Sequence, residues 1–173
     1  QKTIIFGSGY LTAIGVIPAL VDRKDVIIAD KNIHASLLDA ARLSRAKILR
    51  FKHNSLESCK KILAENRKKY NKCLIISETV FSMDGDLGPV AKLAELAKEY
   101  DAWLLTDDAY GFAIVKNNIA KDFKNHIQLG TLSKTIGCYG GYVTGSAALA
   151  DLITTKSRSL IYSTALPASI IAA

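Results

Sequence analysis

The chain is 173 residues long and 49% hydrophobic, which suits about one globular domain with a buried core. Its three cysteines are odd in number and show no Cys-x-x-Cys spacing, so we expect neither a disulfide framework nor a metal site. We therefore expect a reducing compartment, the cytoplasm. The net charge of +7 leaves three interpretations open: a solvated basic face, nucleic-acid binding, or attraction of an acidic substrate or carrier.

Membrane and nucleic-acid partners are both disfavoured. The longest charge-free apolar run near the start, residues 11–21, is well short of the ~20 residues that a membrane span needs. Basic residues cluster within 60–72, without the aromatic interleaving or helix-turn-helix pattern of a nucleic-acid site. We therefore interpret this cluster as a solvated helix face and expect no nucleic-acid or membrane partner.

The pattern along the chain predicts alternating helices and strands. Residues 6–10 form a glycine-containing turn into an apolar helix capped by Ser8, a place that suits an anion such as phosphate, although an ordinary capped helix is the alternative. Further strands are predicted at 25–30, 47–51, 73–78, 103–106 and about 139–146, and further helices at 32–43, 56–70, 90–100 and 147–155.

Strands that are apolar on both faces and alternate with helices predict a three-layer α/β/α fold with a mainly parallel sheet. Ligands of such sheets bind at the carboxyl ends of the strands. Polar residues follow several of the predicted strands, and we expect them to meet in one crevice: His34, Ser82, Asp107 and Lys134.

Lys134 has unusual neighbours for a lysine. It lies in Gly-Thr-Leu-Ser-Lys-Thr-Ile-Gly, residues 130–137, and the nearest charged residues in sequence are Lys124 and Asp151. An amine that attacks an aldehyde needs a fixed position, whereas an ordinary surface lysine lies among other charges. We interpret Lys134 as a Schiff-base lysine, with an exposed lysine in a polar turn as the alternative.

Several motifs resemble, in order, those of the α-oxoamine synthases, which are pyridoxal-phosphate enzymes of the aspartate-aminotransferase fold (fold type I). They are Ser-Gly-Tyr at 8–10, Asn-Ile-His-Ala-Ser at 32–36, Val-Phe-Ser-Met-Asp-Gly-Asp at 80–86, Asp-Asp-Ala-Tyr-Gly at 107–111, Gly-Thr-Leu-Ser-Lys at 130–134 and Ser-Thr-Ala-Leu-Pro at 163–167. The first and last look most like the branch that condenses L-alanine with a pimeloyl thioester in biotin biosynthesis.

The resemblance implies specific roles for individual residues. Lys134 would hold pyridoxal 5'-phosphate as a covalent aldimine and later remove the α-proton of the substrate. Asp107 would face the pyridine nitrogen, and His34 would stack on the ring and contact the substrate carboxylate. The other cofactor ligands implied by the resemblance are Gly9, Tyr10, Ser82, Tyr110 and Thr131.

The resemblance also implies partners and missing parts. The substrates would be an amino acid and an acyl-CoA or acyl-carrier protein, and the enzyme would be a homodimer in which Ser163 and Thr164 are candidates to reach the neighbouring site. The sequence starts at Gln1 without a methionine and stops at Ala173 where a helix would begin. We expect residues 1–173 to be the cofactor-binding large domain of a longer protein, without its N-terminal segment and C-terminal small domain.

One residue departs from the family pattern: Tyr110 stands where the family usually has histidine. A phenol can still donate a hydrogen bond to the cofactor's ring oxygen, but its pKa near ~10 makes it a poor proton shuttle. Three alternatives stay open: glycine C-acetyltransferase or another α-oxoamine synthase, a basic binding module, and a non-catalytic α/β domain.

Overall fold

A seven-stranded sheet forms the middle layer of the computed structural model, which describes residues 1–116, 119 and 123–172. Its strands are β1 (Lys2–Phe6), β2 (Val26–Asp30), β3 (Lys47–Phe51), β4 (Cys73–Glu78), β5 (Trp103–Asp107), β6 (His126–Thr131) and β7 (Gly141–Gly145). The order is β1-β7-β6-β5-β4-β2-β3. Only β7 runs antiparallel to its neighbours, so the predicted, mainly parallel sheet is confirmed.

Helices cover both faces of this sheet. They are α1 (Gly9–Leu20), α2 (Ala35–Ser44), α3 (Leu56–Asn66), α4 (Val90–Glu99), α5 (Ala147–Lys156), α6 (Arg158–Ile161) and α7 (Ala168–Ala172). Alternate residues of β2 face opposite layers: Ile27 packs in the cluster that contains α1 and α2, and Ile28 in the cluster that contains α3 and α4. Within the described part of the chain, no helix is long and apolar enough to span a membrane.

The start of α1 forms as its sequence predicts. The Ser8 hydroxyl accepts a hydrogen bond from the Leu11 N–H at 3.1 Å, which satisfies one of the free donors of the first turn. Val16, Ile17 and Leu20 of this helix are almost fully buried against the sheet. Burial of this apolar helix therefore fixes its N-terminus at the edge of the sheet where β6 ends.

The end of α3 and the edge strand β1 differ clearly from the prediction. The helix predicted over 56–70 ends at Asn66 and continues as a 3₁₀ turn, Arg67–Lys69. The Arg67 guanidinium ends the helix there by donating to the carbonyl oxygens of Tyr70, Tyr100 and Asp101. The edge strand β1 was not predicted, because it is short and mostly exposed and obtains its hydrogen bonds from the distant β7.

Candidate active site

A cavity of about 380 Å³ opens at the carboxyl ends of β4, β5 and β6, a size typical of small-molecule sites. It is lined by Ser8, Gly9, Tyr10, His34, Ser36, Glu78, Asp107, Ala109, Tyr110, Leu129, Gly130, Thr131, Ser133 and Lys134. The parallel register brings the strand ends together, since Glu78 pairs with Asp107 and Asp107 with Leu129. Of the predicted crevice residues, His34, Asp107 and Lys134 meet here.

Two buried carboxyl groups form one wall of the cavity. Glu78 and Asp107 are 3% and 7% exposed. Burial raises the pKa of Asp107 to about 6, and burial together with the nearby charge of Asp107 raises the pKa of Glu78 to about 8. The positive charge of Lys134 opposes both shifts. At neutral pH, Asp107 is therefore mostly ionised while Glu78 is mostly protonated.

His34 both caps a helix and lines the cavity. Its Nδ1 accepts a hydrogen bond from the Ser36 N–H at 3.2 Å at the start of α2. Its own backbone N–H donates to Glu78. Burial and the positive charge of Lys134 lower the pKa of His34, which favours the neutral ring, and the bond accepted at Nδ1 places the proton of that neutral ring on Nε2. The Nε2–H remains available as a donor to a ligand.

Lys134 and Tyr110 form the opposite wall. The Nζ of Lys134 lies 3.3 Å from the centroid of the Tyr110 ring, in a cation–π contact. Tyr110 therefore presents its ring face, and not its hydroxyl, to the amine. Both residues follow strands on loops and are exposed, with Tyr110 at 39%.

The start of α1 and the end of β6 form the third side. The Thr131 hydroxyl donates to the Gly140 carbonyl at 3.0 Å and lies 2.8 Å from the Ser133 hydroxyl. A Cβ on Gly9 would lie 3.2 Å from the Thr131 Cβ, a tight contact, so a larger residue here would require the helix and the strand to move apart by a few tenths of an ångström. Free N–H groups of the first turn and these hydroxyls suit a phosphate.

Some predicted site residues lie away from the cavity. Ser82 is exposed on the loop between β4 and α4, because hydrogen bonds from Phe81 to Asp86 and from Gly85 to Phe81 close a turn with Ser82 at its tip. Ser163 and Thr164 line a separate groove. The roles assigned to these residues stay predictions.

The whole chain, residues 1–173, matches the family model described as aminotransferase class I and II. The chain belongs to the class I and II aminotransferase family. It is 45% identical to a putative 8-amino-7-oxononanoate synthase of Parvibaculum lavamentivorans, over 100% of this chain and 46% of the relative. It is 46% identical to the 8-amino-7-oxononanoate synthase of Methylorubrum populi, over 96% of this chain and 42% of the relative. The chain thus spans about half the length of these relatives.

Solved structures show the same aminotransferase-like fold. The serine palmitoyltransferase of Sphingomonas wittichii has a TM-score of 0.90 and 29% identity, covering 99% of this chain and 45% of its own. The 8-amino-7-oxononanoate synthase of Francisella tularensis has a TM-score of 0.78 and 30% identity, and the match covers 96% of this chain and 50% of the synthase. These likenesses confirm the fold that the motifs implied.

Sequence reasoning missed several cavity residues of this aminotransferase-family chain. Ser36 and Ser133 contribute hydroxyls, and Ala109 and Leu129 contribute surface. A signal existed for Ser36, since a hydroxyl two residues after His34 can reach its side chain, and the Ser36 Oγ lies 2.8 Å from the His34 Nδ1. Glu78, the last residue of β4, also lies on the cavity wall.

Proposed function

We propose that the protein containing this chain is a pyridoxal-phosphate-dependent α-oxoamine synthase of the 8-amino-7-oxononanoate type. It condenses L-alanine with a pimeloyl thioester, on coenzyme A or a carrier protein, and releases carbon dioxide and the free thiol. The observation that carries the proposal is one cavity that holds the Lys134 amine and the buried Asp107 carboxylate. The names of the relatives, at 45% and 46% identity, supply the type.

The cavity residues fit pyridoxal phosphate. Lys134 offers the only amine among the residues that line the described cavity, and Asp107 offers a buried carboxylate for the pyridine nitrogen. The first turn of α1 offers N–H donors for the phosphate, and the Ser133 hydroxyl, which lies 2.8 Å from that of Thr131, can turn its proton toward it. A related serine palmitoyltransferase, with a TM-score of 0.86 and 29% identity, is described with the cofactor as an internal aldimine.

Each residue has a task in this chemistry. When bound, pyridoxal phosphate supplies an electron sink for negative charge at the substrate Cα. The ionised Asp107 keeps its ring partner protonated, because a carboxylate in a buried site strongly favours an adjacent positive charge. The Nε2–H of His34 donates to the substrate carboxylate and orients it, and the Nζ of Lys134 takes up the α-proton.

The amine assignment is tested by borohydride reduction of the full-length protein with pyridoxal phosphate, followed by peptide mapping. We expect the reduced label on the peptide that contains Lys134, and its complete loss in Lys134→Ala. Lys156→Ala is the matched control, because Lys156 is exposed at the end of α5, and its label should equal that of the wild type. A label on another amine would overturn the proposal.

Substrate choice is tested by measuring thiol release from the full-length protein. L-alanine with pimeloyl thioesters should give the highest kcat/KM, above glycine with acetyl-CoA and L-serine with palmitoyl-CoA. A preference for glycine and acetyl-CoA would assign the protein to glycine C-acetyltransferase within the same family. Salt-sensitive retention on DNA without turnover would favour the basic binding module instead.

The assembly belongs to the same proposal. We infer a cytoplasmic homodimer, in which residues 1–173 are the large domain and further segments of the protein close the site. Exposed apolar side chains on the cavity wall and on the loop that follows Lys134 support an interface, namely Tyr10, Tyr110, Ile136 and Tyr139. Sedimentation equilibrium of the full-length protein should give twice the mass of one full-length polypeptide. A monomer that is catalytically active would contradict the dimer.

A further inference from the structure

His53, outside the cavity, lies between two carboxylates. Its Nδ1 is 2.9 Å from Oδ1 of Asp30, and its Nε2 is 2.8 Å from Oδ2 of Asp86. The Asp30 side chain is fully buried and that of His53 is 24% exposed. The edge of the imidazole also packs against the Phe81 ring, at 4.5 Å between centroids. The ring therefore has a carboxylate at each nitrogen and an aromatic neighbour, Phe81.

This arrangement determines the charge of the ring. A neutral imidazole has one N–H, and ionised carboxylates only accept, so both contacts can be hydrogen bonds together only if His53 is an imidazolium. Burial acts to lower the pKa of His53, but the hydrogen bonds and charges of Asp30 and Asp86 outweigh burial and raise it. An Asp84 carboxylate oxygen also lies within 4.8 Å of the ring nitrogen and of Asp86. The surroundings therefore favour the charged form.

The two carboxylates belong to different segments, one that leads to His34 and one that follows Glu78. Asp30 ends β2, and its Oδ1 also accepts from the Asn32 N–H at 2.8 Å, in the turn that leads to His34. Asp86 lies in the loop 79–89 between β4 and α4, where its carbonyl oxygen accepts from the Phe81 N–H at 3.0 Å. His53 itself follows β3, so it joins three successive strand-end segments.

Asn54 supports the same junction. Its backbone N–H donates to Oδ2 of Asp30 at 2.8 Å, and its side-chain amide donates to Oδ2 of Asp86 and to the Leu87 carbonyl at 3.2 Å. The amide makes these contacts at any pH because it does not titrate. Only the His53 contacts change when a proton is lost.

We propose that His53 is a positioning residue. Its imidazolium donates one hydrogen bond to Asp30 and one to Asp86, an arrangement that we call the clasp, and it thereby holds the loop 79–89 against the turn that carries His34. When His53 loses one ring proton, one of the two carboxylates faces a nitrogen lone pair in place of an N–H donor. That hydrogen bond is lost, and the link that His53 makes between the loop 79–89 and the turn is broken. The clasp itself does not depend on the proposed function. Its effect on turnover does, because that effect acts through His34 and through Ser82, which the motifs predict to be a cofactor ligand.

The first test is histidine-selective ¹⁵N NMR of the full-length protein without cofactor. At a pH of about 6, near the ordinary histidine value, His53 should show two ring N–H signals that vanish in His53→Gln. As the pH rises, one of them should disappear with a midpoint above ~6.5. A single N–H signal at pH about 6 would overturn the proposal even if the variant did not fold.

The second test is thermal unfolding across the same pH range. The pKa of His53 is raised in the folded protein. The stability that charged His53 contributes is therefore fully present below its pKa in the unfolded chain and is lost as the pH rises through its pKa in the folded protein. His53→Gln should lower the melting temperature at pH about 6 and have progressively less effect at higher pH. Asp86→Asn, which removes one charge, should flatten this pH dependence.

His126→Gln is the matched control for unfolding. His126 lies at the start of β6 and contacts the Thr106 hydroxyl at 2.8 Å, and burial lowers its pKa to about 4. His126 therefore stays neutral in the folded protein, whereas in the unfolded chain it titrates near ~6.5, so the loss of melting temperature in His126→Gln should grow as the pH rises from about 6. This trend is opposite to the one expected for His53→Gln, and a loss in His53→Gln that does not shrink as the pH rises would overturn the clasp. If His53→Gln loses the two ring N–H signals but keeps the wild-type borohydride labelling of Lys134, the clasp is tested independently of the proposed function.

Discussion

The two long walls of the cavity are built in different ways. Glu78 and Asp107 end neighbouring parallel strands, and the register between β4 and β5 fixes their separation and burial. Lys134 and Tyr110 lie on exposed loops and are held to each other by a single cation–π contact. The acidic wall is therefore organised by the sheet before any ligand arrives, whereas the amine wall is the part that a ligand can rearrange.

The largest effect is expected on the acidic wall. Asp107→Asn keeps the shape of the side chain and an oxygen that can accept from the Ala109 N–H, but removes the charge. If the buried charge of Asp107 supports the cofactor ring, turnover by the full-length protein should fall by about 10²-fold or more. Asp151→Asn, an exposed carboxylate on α5, is the control and should retain wild-type turnover. Wild-type turnover in Asp107→Asn would show that the two walls do not differ in this way.

A smaller effect is expected on stability, through Glu78. Its folded-state pKa, about 8, lies above its ordinary value, so the contribution of Glu78 to the stability of the cofactor-free protein is greatest below about 4.5 and falls as pH rises toward 8. Glu78→Gln should reduce this decrease in the free energy of unfolding by roughly 1–3 kcal/mol and leave the smaller decrease that Asp107 causes. Urea unfolding at a series of pH values measures the free energy of unfolding of both proteins.

Glu99→Gln is the control for that measurement, because Glu99 is a half-exposed surface carboxylate. Its substitution should leave the pH profile of stability unchanged. If Glu78→Gln and Glu99→Gln gave the same profile, burial at the strand end would not perturb Glu78, and the acidic wall would be as adaptable as the loops.

The same contrast explains what the sequence could predict. The strands β3 and β4 lie where their apolar runs placed them, and parallel strands must bring Asp107 and Glu78 to one edge. Loop geometry was not predictable, because the turn that leaves Ser82 exposed depends on hydrogen bonds within residues 81–86. The distant pairing of β1 with β7 was missed for a related reason, since short-range patterns do not report long-range partners.

Tyr110 gives the smallest expected effect and decides how the amine wall works. The sequence predicts a hydroxyl contact with the cofactor, whereas the structure places the ring face against Lys134. An exposed cation–π contact contributes about 0.5–1 kcal/mol. Tyr110→Phe keeps the ring face, so its rate of borohydride-trapped labelling should stay within about 2-fold of wild type, while Tyr110→Leu should slow labelling by about 2–5-fold.

Comparing the two Tyr110 variants separates the two roles. If Tyr110→Phe slows labelling as much as Tyr110→Leu, the hydroxyl and not the ring positions the amine, and the sequence prediction is the better one. If neither variant changes labelling, the loop places Lys134 without help from Tyr110. The amine wall would then be as rigid as the strand-end wall, because the backbone of residues 130–137 alone would fix the amine.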